Sequence, residues 1–180
     1  MIPKDTTPGW ATPGWEGIIA ALASFYHDVD QLAYRLGAIH ADRLQCRCGC
    51  HDCCVDAVTV FTVEARHIQK WYDKLLKDEI AHPSGACAFL DAAGACRIYP
   101  HRPYVCRTQG LPLRWLAEQH AGERVEMRDI CPLNETGPPV ESLDPDSCWT
   151  IGPFEQRLAD LQRTQCGNLD RVPLRKLFLP

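Results

Sequence analysis

A chain of 180 residues with 46% hydrophobic content can bury a core of its own, so its eleven cysteines are surplus to the needs of folding. A net charge of −4 with no lysine/arginine cluster offers no electrostatic footprint for nucleic acid or an acidic bilayer, and no apolar run is long enough to span a membrane, the most apolar being 17–25. The odd cysteine count, with a start (Met1-Ile2-Pro3-Lys4-Asp5-Thr6) that lacks the basic-then-apolar layout of a secretory leader, argues against a disulfide framework and for a cytoplasmic protein.

In chain order, Thr7-Pro8-Gly9-Trp10-Ala11 is repeated as Thr12-Pro13-Gly14-Trp15, which reads as an arm (1–15) strapped to the domain by two indoles. Over 15–44 apolar residues recur at helical spacing (Ile18, Leu22, Phe25, Val29, Leu32, Leu36), predicting one long helix or two broken near His27-Asp28. Val58-Thr59-Val60-Phe61 predicts a short strand. Thr62 then stands where a helix N-cap would, with Glu64 in the first turn, and the helix should reach about Ile80 with Ile68, Trp71, Tyr72, Leu75 and Leu76 on its apolar side. Cys87-Ala88-Phe89-Leu90 and Cys96-Arg97-Ile98-Tyr99, separated by a Gly-containing loop, predict a hairpin that brings Cys87 and Cys96 together. Pro100 and Pro103 force irregular backbone up to Cys106. A weak helix over 113–120, a Pro-, Gly- and acid-rich strap over 134–147, a helix over 154–165 and an irregular tail over 171–180 complete the reading. The fold class expected is a single small domain, mostly α with a small β-hairpin, organised around a cysteine-rich metal site at 16–133, with the loop, helix and strap of 134–180 packed on it.

That site begins in Cys46-Arg47-Cys48-Gly49-Cys50-His51-Asp52-Cys53-Cys54, five thiols in nine residues. Exposed thiolates oxidise or scavenge metals, so such density is tolerated chiefly where the sulfurs are tied up on a metal or in disulfides. Buried cysteines acting as small hydrophobes account for Cys148 and Cys166 but not for this run. Thiolates select zinc, copper(I) or iron–sulfur clusters, and an iron–sulfur cluster of the 4Fe–4S type or zinc are the cofactors expected. Adjacent Cys53 and Cys54, in extended backbone, would point to opposite sides and serve different irons or different sites. The candidate ligands are Cys46, Cys48, Cys50, Cys53, Cys54, Cys87, Cys96, Cys106 and Cys131. His51 is a ligand or a solvent-facing ring, and Tyr99 a packed aromatic. Arg102 and Arg107 flank Cys106 and could offset thiolate charge or clamp a carboxylate, with salt bridges to Asp91 or Glu64 as the plainer alternative. Cys46-x-x-x-Cys50-x-x-Cys53 reproduces the spacing of radical S-adenosylmethionine enzymes, yet their barrel of repeated strand–helix units does not fit a chain with at most three short strands.

With these residues in view the chain resembles the YkgJ-type cysteine-cluster family, described as zinc- or iron-chelating. The resemblance runs from about Cys46 to Pro132. It is carried by Cys53-Cys54, by Gly85-x-Cys87-x-Phe89-Leu90-Asp91, by Cys96-x-Ile98-Tyr99, by Arg102-Pro103-x-x-Cys106-Arg107 and by Cys131-Pro132. In the first block the spacing departs from the family pattern, which leaves open which of Cys46, Cys48 and Cys50 are ligands. The resemblance implies metal ions as partners and, through relatives that methylate flagellin lysines, a protein substrate. Three roles are therefore carried forward: a redox or structural metalloprotein, a metal-dependent protein-lysine methyltransferase, and a metal-delivery or sensing protein. No glycine-rich strand-to-helix turn supports an S-adenosylmethionine site.

Overall fold

The computed structural model describes residues 14–47, 49–118 and 122–178. They form a single small domain, about 48% helical with little sheet. Residues 1–13 of the expected arm, with Trp10, lie outside the described residues, as does Cys48, whereas Trp15 is buried at the start of the first helix.

Helix α1 (Trp15–Ile39) is continuous, with Trp15, Leu22, Phe25, Tyr26, Val29 and Leu36 buried along one face. No break occurs at His27-Asp28 because both residues sit on the exposed side, where they interrupt nothing. Helix α4 (Pro153–Cys166) lies against it, joined by the Arg157–Asp28 ion pair at 2.7 Å. With Val63, Tyr104, Trp149 and Leu158 these helices enclose one hydrophobic cluster.

Strand β1 (Thr59–Phe61) leads directly into α2 (Thr62–Asp78). The flanking residue of α2 is Phe61 rather than Thr62, which is the first helical residue; Glu64 reaches back to accept the Phe61 N–H at 3.3 Å. Trp71, expected on the apolar side, is 54% exposed and stacks on His101 with ring centroids 4.6 Å apart.

Two expectations fail at the sheets. Residues 113–118 form strand β2 (Leu113–Glu118), not a weak helix, pairing antiparallel over six positions with β3 (Arg124–Asp129) and parallel with β4 (Trp149–Thr150). Local propensity favours a helix through Leu, Arg, Ala and Glu; the cross-strand partners, including Arg114–Glu126 at 3.4 Å, override it. The tail, expected to be irregular, supplies β5 (Arg171–Pro173), antiparallel to β1 with Val60 opposite Val172, and then a 3-10 turn over Leu174–Phe178. Buried Val60 would otherwise carry an unpaired edge.

The expected hairpin at 87–99 reduces to one antiparallel bridge, Leu90 to Cys96. Its loop is closed mainly by the Asp91 carboxylate, which accepts the Ala93 and Ala95 N–H groups at 2.8 Å. Beneath it a second hydrophobic cluster gathers Val60, Ile68, Phe89, Ile98, Leu174 and Leu177, with Cys87 inside it and Cys54 and Cys96 packed on it.

Candidate metal centre

The cysteines reach one region from three separate stretches of chain. Cys50, Cys53 and Cys54 lie on the loop between α1 and β1, which turns where the Cys54 N–H donates to the His51 carbonyl at 2.8 Å. The Cys87 N–H donates to the Cys54 carbonyl at 2.8 Å and so lays the second cysteine block on the first. Cys96 is fixed by its bridge to Leu90, and Cys106 by the short helix α3 (Tyr104–Arg107), which Pro103 introduces.

The clamp on these loops comes from the far end of the chain. Arg175 donates to the Asp56 carboxylate at 2.5 Å and to the carbonyls of His82 and Ala86 at 2.6 and 2.9 Å. It thereby ties both cysteine blocks to the tail and holds the Asp56 carboxyl below its ordinary range. Neither residue was singled out from sequence, and no local pattern could have paired positions so far apart.

Electrostatics report which thiols are neighbours. Burial pushes Cys106 up to about 12, and Cys87, Cys96, Glu64 and Cys53 add to the rise. Burial likewise raises Cys87 and Cys96, the latter helped by Cys87. The sulfurs of Cys53 and Cys54 interact directly. The Cys54 side chain lowers Cys53, whereas Cys53, burial, Cys87 and Cys106 raise Cys54. The extended backbone expected for the adjacent pair is not found, since the chain turns at 52–53. Cys50 is raised by burial and then by Cys46, with a smaller contribution from Cys53.

All ten described cysteines are free thiols. Among the described residues, no three His, Cys, Asp or Glu side chains are arranged to hold a metal ion. The donor set is nonetheless of the kind soft metals take, and a bound cation would offset the repulsion between neighbouring thiolates. Cys148 lies elsewhere, 3.6 Å from an Arg128 guanidinium nitrogen, and Cys166 packs against the first hydrophobic cluster.

The two arginines beside Cys106 have partners of their own. Arg107 is buried, pairs with Asp30 at 2.6 Å, lies 4.0 Å over the Tyr26 ring, and donates to the carbonyls of Arg102 and Pro100. Arg102 donates to the carbonyls of Cys106 and Tyr99 and covers the Tyr99 ring, which is exposed rather than packed. Asp30 thus takes the place expected for Asp91 or Glu64. His51 is exposed, with Nδ1 2.8 Å from the Gly49 carbonyl.

One group stands out that sequence reading left uninterpreted. His67 is 4% exposed, its Nδ1 has no hydrogen-bond partner among the described residues, and it is packed by Tyr26, Trp71 and His101. Burial first, then the positive charge on His101, Arg107 and Lys70, lowers it from 6.5 to about 4. The unfolded chain takes up this proton near pH 6.5 and the folded chain only near 4, so the His67 contribution is complete above 6.5 and declines as pH falls towards 4. His67→Phe, which keeps a ring and removes the titration, is expected to flatten that acid-side loss in urea unfolding measured between pH 4 and 7.

The first block, the Cys87 to Cys106 block and Cys131-Pro132 together fall in one stretch. Residues 45–132 match the CxxCxxCC family, described as a putative zinc- or iron-chelating domain. This segment, just under half of the chain, is similar to that family. No curated protein and no solved structure matches the chain. The CxxCxxCC domain holds every cysteine of the chain except Cys148 and Cys166, together with α2 and the β2–β3 hairpin, whereas α1, α4 and the Arg175 tail lie outside it. No helix among the described residues is long and apolar enough to cross a membrane.

Proposed function

We propose that the CxxCxxCC domain holds an iron–sulfur cluster, or zinc in its place, on thiolates drawn from Cys53, Cys54, Cys87, Cys96 and Cys106, with Cys46, Cys48, Cys50 and Cys131 completing the donor set. The observation that carries this reading is the convergence of five thiols from three stretches of chain, joined by the Cys87 to Cys54 backbone bond, with Cys53, Cys87, Cys96 and Cys106 each raising a neighbour's cost of ionisation. A bound cluster would supply one-electron chemistry, and zinc a closed structural link. The protein's own contribution is to bring the donors together through the Cys87–Cys54 backbone bond and the Arg175 clamp, and to exclude water from Cys87 by burial. Free thiols at the ten described cysteines fit a reducing, cytoplasmic compartment. Metal delivery is the second reading, favoured by the exposure of Cys46 and Cys53.

The test is metal and acid-labile sulfide content of protein purified without oxygen, with its visible spectrum. Iron and sulfide in near-equal amounts with a broad band in the blue support the cluster. Colourless protein with stoichiometric zinc moves the assignment to a structural site, and protein with neither metal overturns it.

A further inference from the structure

The first cysteine block is fastened by residues outside the matched family segment. The strap that follows Cys131 runs along the end of α1 and the start of the cysteine loop. His40 Nε2 meets the Ser147 carbonyl at 2.7 Å, and buried Arg43 donates Nε to the Thr136 carbonyl at 3.0 Å and Nη2 to that of Pro138 at 2.5 Å. At the centre of this lacing is Asn134, which is 0% exposed. Its Oδ1 accepts the Gln45 N–H at 2.8 Å, and its Nδ2 donates to the Gly110 carbonyl at 2.8 Å and to Cys46 Sγ at 3.5 Å. Its backbone N–H donates to the Cys131 carbonyl at 2.7 Å.

Gly110 completes the seat. Its φ of +89° suits glycine, and a Cβ built there would overlap Cys46 Sγ. Cys46 as a residue is exposed, so hydrophobic burial does not explain why its sulfur is held between a glycine notch and a buried amide. An N–H aimed at sulfur does have a chemical use. It fixes the thiolate's direction and withdraws charge from it, as groups behind metal ligands commonly do.

We infer that Asn134 is a positioning residue that aims Cys46 at the metal centre and donates the N–H its sulfur accepts. This rests on the thiolate-centre reading proposed above. It makes Cys46 a ligand in the one block whose family spacing is irregular, and it gives the strap, which the family match does not cover, a part in metal retention.

The experiment is zinc affinity of the full chain by competition with a chromophoric chelator, for the wild type, N134D, C46S and the double variant. N134D keeps the acceptor for Gln45 and replaces the donor facing sulfur with a carboxylate. A loss of about 10- to 100-fold is expected for N134D. C46S should lose at least as much, and N134D should cost nothing further in the C46S chain, because its effect passes through that sulfur. In cobalt-loaded protein the sulfur-to-metal charge-transfer band of N134D should move to lower energy, a shift that a purely structural role for Asn134 would not produce. G110A, whose Cβ would overlap the Cys46 sulfur and press on the Asn134 amide beside it, should reproduce the affinity loss. An equal penalty for N134D in both backgrounds makes Asn134 a fold residue and overturns the inference. So does a C46S chain with wild-type affinity, a result that stands even where N134D weakens the fold. A wild-type chain that binds no metal overturns the proposed function itself, and this inference with it.

Discussion

Removing metal from the loaded chain by chelation is expected to abolish hydrogen-exchange protection over 46–58 and 82–98, while α1 and α4 keep theirs. The two regions differ in what holds them. Helices α1 and α4 are bound into a hydrophobic cluster around Phe25, Tyr104, Trp149 and Leu158. Among the described residues, 44–58 contain no regular element, and 79–98 hold a single bridge. These loops rest on the second cluster, through Cys54, Cys87 and Cys96, and on the side-chain clamp from Arg175. For structural zinc the apparent binding free energy reaches about 10–16 kcal/mol, comparable to the whole stability of a domain, about 5–15 kcal/mol. Losing such a term should therefore melt the loops it ties, not loosen them slightly. Mass-spectrometric exchange with and without chelator checks this, and unchanged protection over 46–58 and 82–98 would contradict it.

Glu64→Ala is expected to lower stability by about 3 kcal/mol or more, since three donors lose their acceptor inside the protein. Glu64 is buried, and one carboxylate oxygen accepts both the Tyr26 hydroxyl at 3.0 Å and the Tyr104 N–H at 2.8 Å. The other oxygen accepts the Phe61 N–H. The carboxylate thus joins α1, the start of α2 and the helix that presents Cys106. Glu64→Gln can keep the two bonds made by one oxygen and should cost only roughly 1 kcal/mol. The pH dependence has a definite sign. Burial raises the Glu64 carboxyl even though the three donors oppose the rise, so the folded chain binds this proton more tightly than the unfolded chain. The contribution is complete below the ordinary carboxylate range and is lost as pH rises through the folded value. Unfolding curves across mildly acidic to neutral pH should show that decline in the wild type and not in Glu64→Gln.

The cluster at 46–54, the second block from Cys87 to Cys106 and Cys131-Pro132 were legible because ligand-type residues at short spacing carry their chemistry with them. Helices α1, α2 and α4 were legible for a similar reason, since apolar residues at helical intervals need only a core to face. The hairpin at 113–129 was not. Leu113-Arg114-Trp115-Leu116-Ala117-Glu118 has ordinary helix formers, and its strand identity depends on β3 and β4 lying beside it. Arg107 shows the same limit in the site: its neighbourhood to Cys106 was visible, but its partner Asp30 stands on α1, and nothing local to either residue announces the pair.

By itself, then, the sequence determined that this chain is rich in thiols beyond any need of folding, carries a zinc- or iron-chelating family segment, and is built largely of amphipathic helices. These properties reside in composition and short periodicities, which do not depend on distant partners. Only the tertiary structure decided that Cys87 is laid on Cys54, that Arg175 and Asp56 clamp both cysteine blocks, and that Asn134 and Gly110 seat Cys46. Each of those depends on contacts between residues distant in the chain or on the turn of a loop, and a side chain's partner is chosen by where the backbone carries it, not by the residues on either side.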